Sequence, residues 1–284
     1  MPTTRVSDTA IALAMFVLTS AIVGGLHAYP SHSSYDMPDG TGTLDWDMPV
    51  IYRDGWVSFG RTSYDPCIDA DAVAELRADC TIPRSGFFYN LMGAMCSVCM
   101  ERGLQPTIDM LRERIADAEQ RTGHVYGDDD IILVIFNFVC SAIEYEGDDV
   151  LYGCPEYWAT PAETLWVGKG DCEDTAILFV TLCRAFGYDA VLVRMDDVSD
   201  SHMMGGVRCG LKGDIRDGYT LAECTWSRCG WDCEISEDSP YGHEILERSV
   251  AEGALAGMCA YLKSWGRFVL GIKDALNLPI NLRV

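Results

Sequence analysis

A cysteine at the start of an apolar helix is the feature that most constrains this chain. Cys172 lies in the run GDCEDTA at residues 170–176, and apolar residues recur behind it with helical spacing as far as Phe186. Asp171 is at an N-cap position, and Gly187 stands where helices commonly end. Cys172 is therefore predicted in the first helical turn, where unpaired backbone N–H groups favour a thiolate.

The charges around this cysteine make a histidine partner necessary for thiolate chemistry. Carboxylates stand on both sides of Cys172 in the run, and negative charge raises the pKa of a thiol. A nearby imidazolium would have to outweigh them. The chain has five histidines, and only His202 and His243 follow Cys172.

Two predicted strands place an acid near the first of these histidines. One strand covers His202–Leu211, a turn-rich segment follows, and the other strand covers Tyr219–Thr225. When the two strands pair as a hairpin, His202 and Glu223 fall near the same end of the sheet. A helix that carries Cys172 and packs on this sheet would then join a thiol, an imidazole and a carboxylate, a set that generates a nucleophile.

Each of these roles has a competing interpretation. Cys172 would otherwise be a small buried hydrophobe or half of a disulfide. His202 would be a surface histidine at a strand end, with His243 as the rival partner of the thiol. Asp214 and Asp217 compete with the predicted acid, which would then be an ordinary strand carboxylate.

The sequence around these residues resembles the transglutaminase-like cysteine enzymes of the papain-like superfamily, particularly their prokaryotic and archaeal branches. The resemblance covers roughly residues 125–230 and rests on these pieces: Tyr157-Trp158, PAETL at 161–165, GKGDCED at 168–174, LCRAFGY at 182–188, an Ala190–Val193 strand, His202 with Gly206-Val207, and Glu223-Cys224-Thr225. The family more often has Asp as the acid and an aromatic residue after the histidine. This chain has Met203-Met204 at the latter place.

The resemblance implies a fold, a site and a reaction. The fold would be α+β, with helices packed on a small antiparallel sheet; the apolar run at residues 9–28 separately predicts a hydrophobic helix before them. Cys172 would be the nucleophile, His202 the general base and acid, and Glu223 the orienting carboxylate. The backbone N–H of Cys172 would belong to the oxyanion hole. No cofactor and no catalytic metal are expected.

The expected function is a thiol peptidase or amidase that attacks amide bonds of protein or peptide substrates through an acyl-enzyme. The alternative enzyme is a transglutaminase, in which an amine instead of water resolves the acyl-enzyme. The alternative of another class is a catalytically inactive cell-surface binding module. Hydrolysis is favoured because water needs no second binding site.

The N-terminus predicts export or anchoring. Residues 9–28 are almost wholly apolar and uncharged, Arg5 precedes them, and no Lys or Arg follows until Arg53. This asymmetry predicts that the body of the chain crosses the membrane. The segment is either an uncleaved membrane anchor or a signal peptide that ends near Ala28. We therefore expect an extracytoplasmic or secreted protein.

Cysteine usage agrees with export. The chain has thirteen cysteines, and the twelve besides Cys172 would be consistent with several disulfides around one free thiol. A zinc site is the alternative for four of them: Cys96, Cys99, Cys229 and Cys233.

The charge excludes one class of partner. The formal net charge is −22 and the pI is near 4.4. The sequence has no Lys/Arg cluster that would meet phosphates, so nucleic-acid binding by a basic face is excluded. The expected partner is a protein or peptide substrate, with the membrane as a second partner if the leader stays uncleaved.

The remaining pattern predicts several elements. A hairpin is expected around Asp54-Gly55. Helices are expected over 69–77, 106–121, 128–142 and about 243–268, and a strand over 190–195. The predicted units are 1–28 as anchor or signal peptide, 29–124 as a cysteine-containing extension, 125–235 as the catalytic core and 236–284 as a helical segment.

Overall fold

The computed structural model describes residues 32–79, 102–196, 201–212, 215–225 and 242–247, and the labels below count described elements only. The helices are α1 Ala70–Asp79, α2 Gln105–Thr122, α3 Asp128–Ala142, α4 Asp148–Leu151, α5 Pro161–Val167 and α6 Cys172–Ala185. The strands are β1 Leu44–Ile51, β2 Val57–Tyr64, β3 Glu144–Tyr145, β4 Lys169–Gly170, β5 Ala190–Asp196, β6 Ser201–Val207, β7 Ile215–Arg216, β8 Tyr219–Ala222 and β9 Gly242–Glu247. The described fold is α+β, as predicted.

The main sheet is antiparallel throughout and has five described strands in the order β7-β8-β6-β5-β9. Alternate residues of its central strands enter two different apolar clusters. Ala190 and Leu192 of β5 face the main core, whereas Val191 and Val193 pack on the other face with Met204 of β6. Because both faces of β5 and β6 are buried, a one-residue slip of their register would exchange the two clusters.

Helix α6 lies on the core face of this sheet, against β5 and β6. Its contact with β6 is close because Gly205 has no side chain. A Cβ atom at this position would lie 3.0 Å from Cε1 of the Phe179 ring and closer still to Cδ1. This close approach fixes where the first turn of α6 stands relative to the start of β6.

Helix α3 is the buried centre of the described fold and has the predicted bounds. It packs between β1 and α6. The Trp46 and Phe138 rings meet edge to face with centroids 5.2 Å apart, and both side chains are fully buried. The predicted hairpin is also present, as β1 and β2 joined by a turn in which Gly55 has a φ of 83°. The segments expected to flank the turn, residues 50–52 and 56–59, belong to longer strands that cover Leu44–Ile51 and Val57–Tyr64.

A buried ion pair joins the first described segment to the rest. Nε of Arg77 in α1 lies 3.3 Å from Oε1 of Glu163 in α5, and both side chains are almost completely buried. The Arg77 guanidinium also donates to the backbone carbonyls of His32, Tyr35 and Asp36. The Tyr157 hydroxyl donates to the Glu163 carboxylate at 2.8 Å. These bonds hold residues 32–36 and 157 against α5.

The structure corrects two predictions of secondary structure. The helix predicted from His243 is wrong for residues 242–247, which form β9 and pair with β5. The edge of β5 offers backbone N–H and C=O groups for pairing with another strand. The helical periodicity of residues 243–268 gives no information about this pairing. The strands predicted to end at Leu211 and Thr225 end at Val207 and Ala222 instead. The rest of the predicted 243–268 helix lies outside the described residues.

The described cysteines show no disulfide. All seven of them are free thiols: Cys67, Cys140, Cys154, Cys172, Cys183, Cys209 and Cys224. Several of these thiols are buried among apolar side chains, where a cysteine acts as a small hydrophobe. None of the disulfides with which the cysteine count is consistent is present among these seven described cysteines. The other six cysteines, including those of the alternative zinc site, lie outside the described residues.

The predicted anchor or signal segment at 9–28 also lies outside the described residues. Among the helices that the structure does describe, none combines the length and the apolar character needed to cross a bilayer.

Candidate functional site

Cys172 is the first residue of α6. Asp171 precedes it at the N-cap with extended backbone angles, φ −104° and ψ −151°, but its side chain makes no capping hydrogen bond. The predicted position is therefore confirmed and the predicted cap bond is absent. The Cys172 side chain is partly buried, and its Sγ donates to Oε2 of Glu173 at 3.0 Å.

This environment raises the pKa of the Cys172 thiol well above its usual range. Burial is the largest cause, and the charge and hydrogen bond of Glu173 come next. A backbone hydrogen bond from Met203 acts in the opposite direction and is outweighed. The effect of the α6 N-terminus is thus outweighed, and this arrangement favours the protonated thiol.

Met203 links the thiol to the second predicted residue. It follows His202 directly in β6, so the thiol lies against the start of the strand that carries the imidazole. His202 Nε2 is 2.6 Å from Oε2 of Glu223, the residue that follows β8. The structure therefore pairs His202 with Glu223 and places Cys172 beside the same strand end.

Glu223 is held in place from two sides. Besides its bond with His202, its Oε1 accepts hydrogen bonds from the Thr225 hydroxyl at 2.5 Å and the Thr225 backbone N–H at 3.0 Å. Burial raises the pKa of Glu223, but these bonds and the His202 imidazole together hold it below its usual value. A carboxylate that stays ionised can orient an imidazole and stabilise its cation.

The rival residues lie elsewhere. Asp217 is exposed in the turn between β7 and β8, where it has a φ of 51°. Asp214 lies outside the described residues. His243 is in β9 opposite Met195 of β5, and His202 is opposite the same residue on the other side. Its backbone is thus two strands away from His202 in the same row of the sheet.

The structure places two further acidic residues, Asp148 and Glu156, near the carboxylates of the cysteine run. Asp148 opens α4, and burial together with the Asp171 charge raises its pKa to about 8. Glu156 accepts a hydrogen bond from the Trp158 indole N–H at 2.8 Å. Burial also raises the pKa of Glu173 well above its usual value. Only the fold brings Asp148 and Glu156 near the cysteine run, because they lie 24 and 16 positions before Cys172 in the sequence.

Trp158 lies in the main apolar core and is buried. The segment around it is held by the acidic side chains just described. The Tyr157 backbone N–H donates to Oδ2 of Asp148 at 2.5 Å, and the Ala159 N–H donates to Oδ1 of Asp174 at 2.7 Å. Residues 157–159 therefore form one wall next to the first turn of α6.

Two groups of described side chains bring ligand atoms close enough together to hold a metal ion. One is Asp171, Cys172 and Glu173, and the other is Asp148, Asp171 and Asp174. A separate cavity of about 370 Å³ lies between the β1–β2 hairpin and α2, with Arg61, Arg114 and Arg121 in its lining. None of the three predicted catalytic residues lines that cavity.

Comparison with known families finds a match over the part of the chain that carries these residues. Residues 116–231 match the family model of the transglutaminase-like superfamily. The chain contains a transglutaminase-like domain. The match agrees with the described α+β architecture, and Cys172, His202 and Glu223 all fall within it. No curated protein matches the chain.

Elements outside the matched residues also pack on the transglutaminase-like domain. Strand β9 at 242–247 completes the sheet next to β5, although the match ends at residue 231. At the other end, the match begins within α2 and leaves the β1–β2 hairpin outside. That hairpin nevertheless packs on α3 of the domain.

Proposed function

We propose that the protein is a thiol enzyme that cleaves amide bonds of protein or peptide substrates through an acyl-enzyme. The transglutaminase-like domain supports a cysteine-based reaction of this class. The observation that carries the proposal is the 2.6 Å pair of His202 and Glu223 beside the strand end that Cys172 contacts through Met203.

In the proposed reaction, His202 accepts the Cys172 proton as Sγ attacks the substrate carbonyl carbon. The carbonyl oxygen becomes an oxyanion, for which the backbone N–H of Cys172 at the start of α6 is one donor. The C–N bond then breaks, and the imidazolium gives its proton to the leaving amine. Water attacks the thioester with His202 as base and restores the thiol. Glu223 holds the imidazole and stabilises its cation throughout.

The hydrogen bond from Cys172 to Glu173 must break before this reaction starts. It directs the thiol proton away from the imidazole and keeps the pKa of the thiol high. Rotation of the cysteine side chain about χ1 moves Sγ without any change in the backbone. The proposed active state is therefore one in which Sγ has left Glu173 and reached His202.

The first experiment is alkylation of the full chain with iodoacetamide across pH, with mass spectrometry to locate the label. Cys67 is an exposed free thiol and serves as the reference within the same molecule. If His202 assists Cys172, label should enter Cys172 at a lower pH than Cys67, since a thiolate–imidazolium pair forms below the pKa of an isolated thiol. In His202→Ala that advantage should be lost, and in Glu223→Gln it should fall about tenfold or more.

A Cys172 that is labelled no faster than Cys67 at any pH, or with the same rate in His202→Ala, would contradict the proposal. An inactive binding module would then be the better description. If the pair is found, peptide cleavage measured with and without an added primary amine separates hydrolysis from transglutamination. Release of the free acid in both cases is expected, because hydrolysis needs no second site for the amine.

A further inference from the structure

A cavity of about 370 Å³ lies between the β1–β2 hairpin and α2. This volume is in the range that small-molecule sites occupy. Cys172, His202 and Glu223 do not line the cavity, so what it binds is independent of the proposed reaction. Its two walls come from separate elements, and their side chains differ in chemical character.

The hairpin supplies an apolar floor. Met48 and Val50 of β1 line the cavity and are buried, and Gly60 and Thr62 of β2 lie beside them. Gly60 is opposite Met48 in the register of the hairpin. A Cβ atom on Gly60 would meet no heavy atom within 4 Å, so the space above the floor is open.

Helix α2 supplies a polar wall that contains two arginines. Arg114, Asp117, Gln120 and Arg121 line the cavity, and their spacing places them on one face of the helix. No hydrogen bond or ion pair joins any of these four side chains to another described residue. The donors of this wall are therefore available to a ligand.

Other polar side chains of α2 do have partners. Gln105 donates to Oδ1 of Asp109 at 2.7 Å, and Nη1 of Arg112 lies 4.0 Å from the same oxygen. Glu119 accepts from the Tyr126 backbone N–H at 2.8 Å. The two arginines of α2 that pair with no described residue are thus the two that line the cavity.

Arg61, the third arginine of the lining, is already paired. It stands opposite Asp47 in the hairpin, and its guanidinium lies 3.6 Å from Asp45 and 3.7 Å from Asp47. The α2 wall in contrast holds two guanidinium groups against the single carboxylate of Asp117. This is a local excess of positive charge on a chain whose net charge is −22. An anion would be attracted here although the protein as a whole repels it.

We propose that this cavity binds a small dicarboxylate, an anion with a carboxylate at each end and an apolar chain between them. Arg114 and Arg121 are seven positions apart in the sequence. This spacing corresponds to a rise of about 10 Å along α2. Each end of the ligand would meet one guanidinium, and its apolar middle would lie on Met48 and Val50. A phosphate ion carries its charge at one point and would reach only one of the two arginines.

The test is isothermal titration of the full chain at low ionic strength. The ligands are suberate, succinate, octanoate and inorganic phosphate. Extended suberate spans the two arginines, succinate is too short, and octanoate has the length of suberate with one carboxylate only. We expect a Kd of about 1 mM for suberate, since the ligand is small and both arginines are exposed. The other three should bind about fivefold more weakly, because each can pair with only one guanidinium.

Arg114→Gln and Arg121→Gln should each weaken suberate binding about fivefold and remove its advantage over octanoate. Arg112→Gln is the matched control, since it removes a charge of α2 outside the cavity lining and should keep the parent affinity. Gly60→Leu keeps every charge but fills the open space above the floor, so it should also weaken suberate binding.

Octanoate or phosphate binding as tight as that of suberate would overturn the proposal, because the ligand would then not need two charged ends. An equal loss of affinity in Arg112→Gln would overturn it as well, since it would show a diffuse effect of net charge. The same holds if the parent chain gives no response to suberate, a result that requires no variant.

Discussion

At the residue scale, Glu173 is the group that most directly restrains the thiol. It accepts the Cys172 hydrogen bond, and its charge and that bond follow burial as causes of the raised thiol pKa. Replacing this carboxylate with a neutral amide should therefore increase the thiolate fraction at a given pH. The same side chain is nearly buried, so the effect is one of local charge and not of a change in solvent exposure.

Glu173→Gln is expected to raise the rate of Cys172 alkylation near neutral pH by about tenfold, which corresponds to a fall of about one unit in the thiol pKa. The measurement is the labelling rate against pH, normalised to Cys67. Glu144→Gln, an exposed carboxylate of β3, is the control and should leave the rate unchanged. A slower rate in Glu173→Gln would mean that the carboxylate assists the thiol instead of restraining it.

At the element scale, the packing of α6 on β6 determines the position of the Cys172 thiol. Gly205 allows the Phe179 ring to lie against the strand backbone. The helix start and the strand start are thereby brought to one place, where the Met203 backbone bonds the thiol. Neither element would place Cys172 near His202 by itself.

Gly205→Ala should lower the free energy of unfolding by about 1 to 3 kcal/mol, because the added methyl overlaps the ring and forces the helix and strand apart. Urea unfolding measures the loss. The Cys172 labelling rate should change as well, since the shift moves the thiol relative to His202. Gly60→Ala in β2 is the matched control, because a Cβ there meets no heavy atom within 4 Å. Equal stability of the two variants would contradict this account of the packing.

At the scale of the whole molecule, buried acids make stability depend on pH. Burial raises the pKa of Glu163 to about 7, against the opposing effect of Arg77. An unfolded chain would lose this proton near pH 4.5, whereas the folded chain keeps it to about pH 7. The unfolded state thus binds fewer protons in this window. The contribution of Glu163 to stability is complete below pH 4.5 and is lost as the pH rises through 7.

We therefore expect the free energy of unfolding to fall between pH 4.5 and 7, by at most about 3 kcal/mol from this group. Glu163→Gln should reduce that slope, whatever its effect on the absolute stability. Denaturant unfolding at several pH values, in the presence of chelator, measures it. Glu113→Gln, an exposed carboxylate of α2, should keep the parent slope. An unchanged slope in Glu163→Gln would show that the folded protein holds this side chain ionised.

The local elements were largely predictable from the chain. Helix α3 has the predicted bounds, α2 and α6 are close to theirs, and Cys172 stands at a helix start as expected. Helical periodicity, Gly123 and Gly187 carry this information within a few residues of each position. The family resemblance, resting on the motifs around Cys172, agrees with the match of residues 116–231 to the transglutaminase-like superfamily.

Contacts between segments that are distant in the sequence could not be predicted from local sequence patterns. The strand at 242–247 depends on the edge of β5, with which it pairs. Asp148 joins Asp171 and Asp174 only because α4 packs against the start of α6. By itself the sequence predicted most of the helices and the candidate residues Cys172, His202 and Glu223, since helical periodicity and the motif around Cys172 are short-range features. The tertiary structure decided the burial that is the largest cause of the raised thiol pKa, and it brought Asp148 to the acidic residues of the cysteine run, because both depend on how distant segments pack.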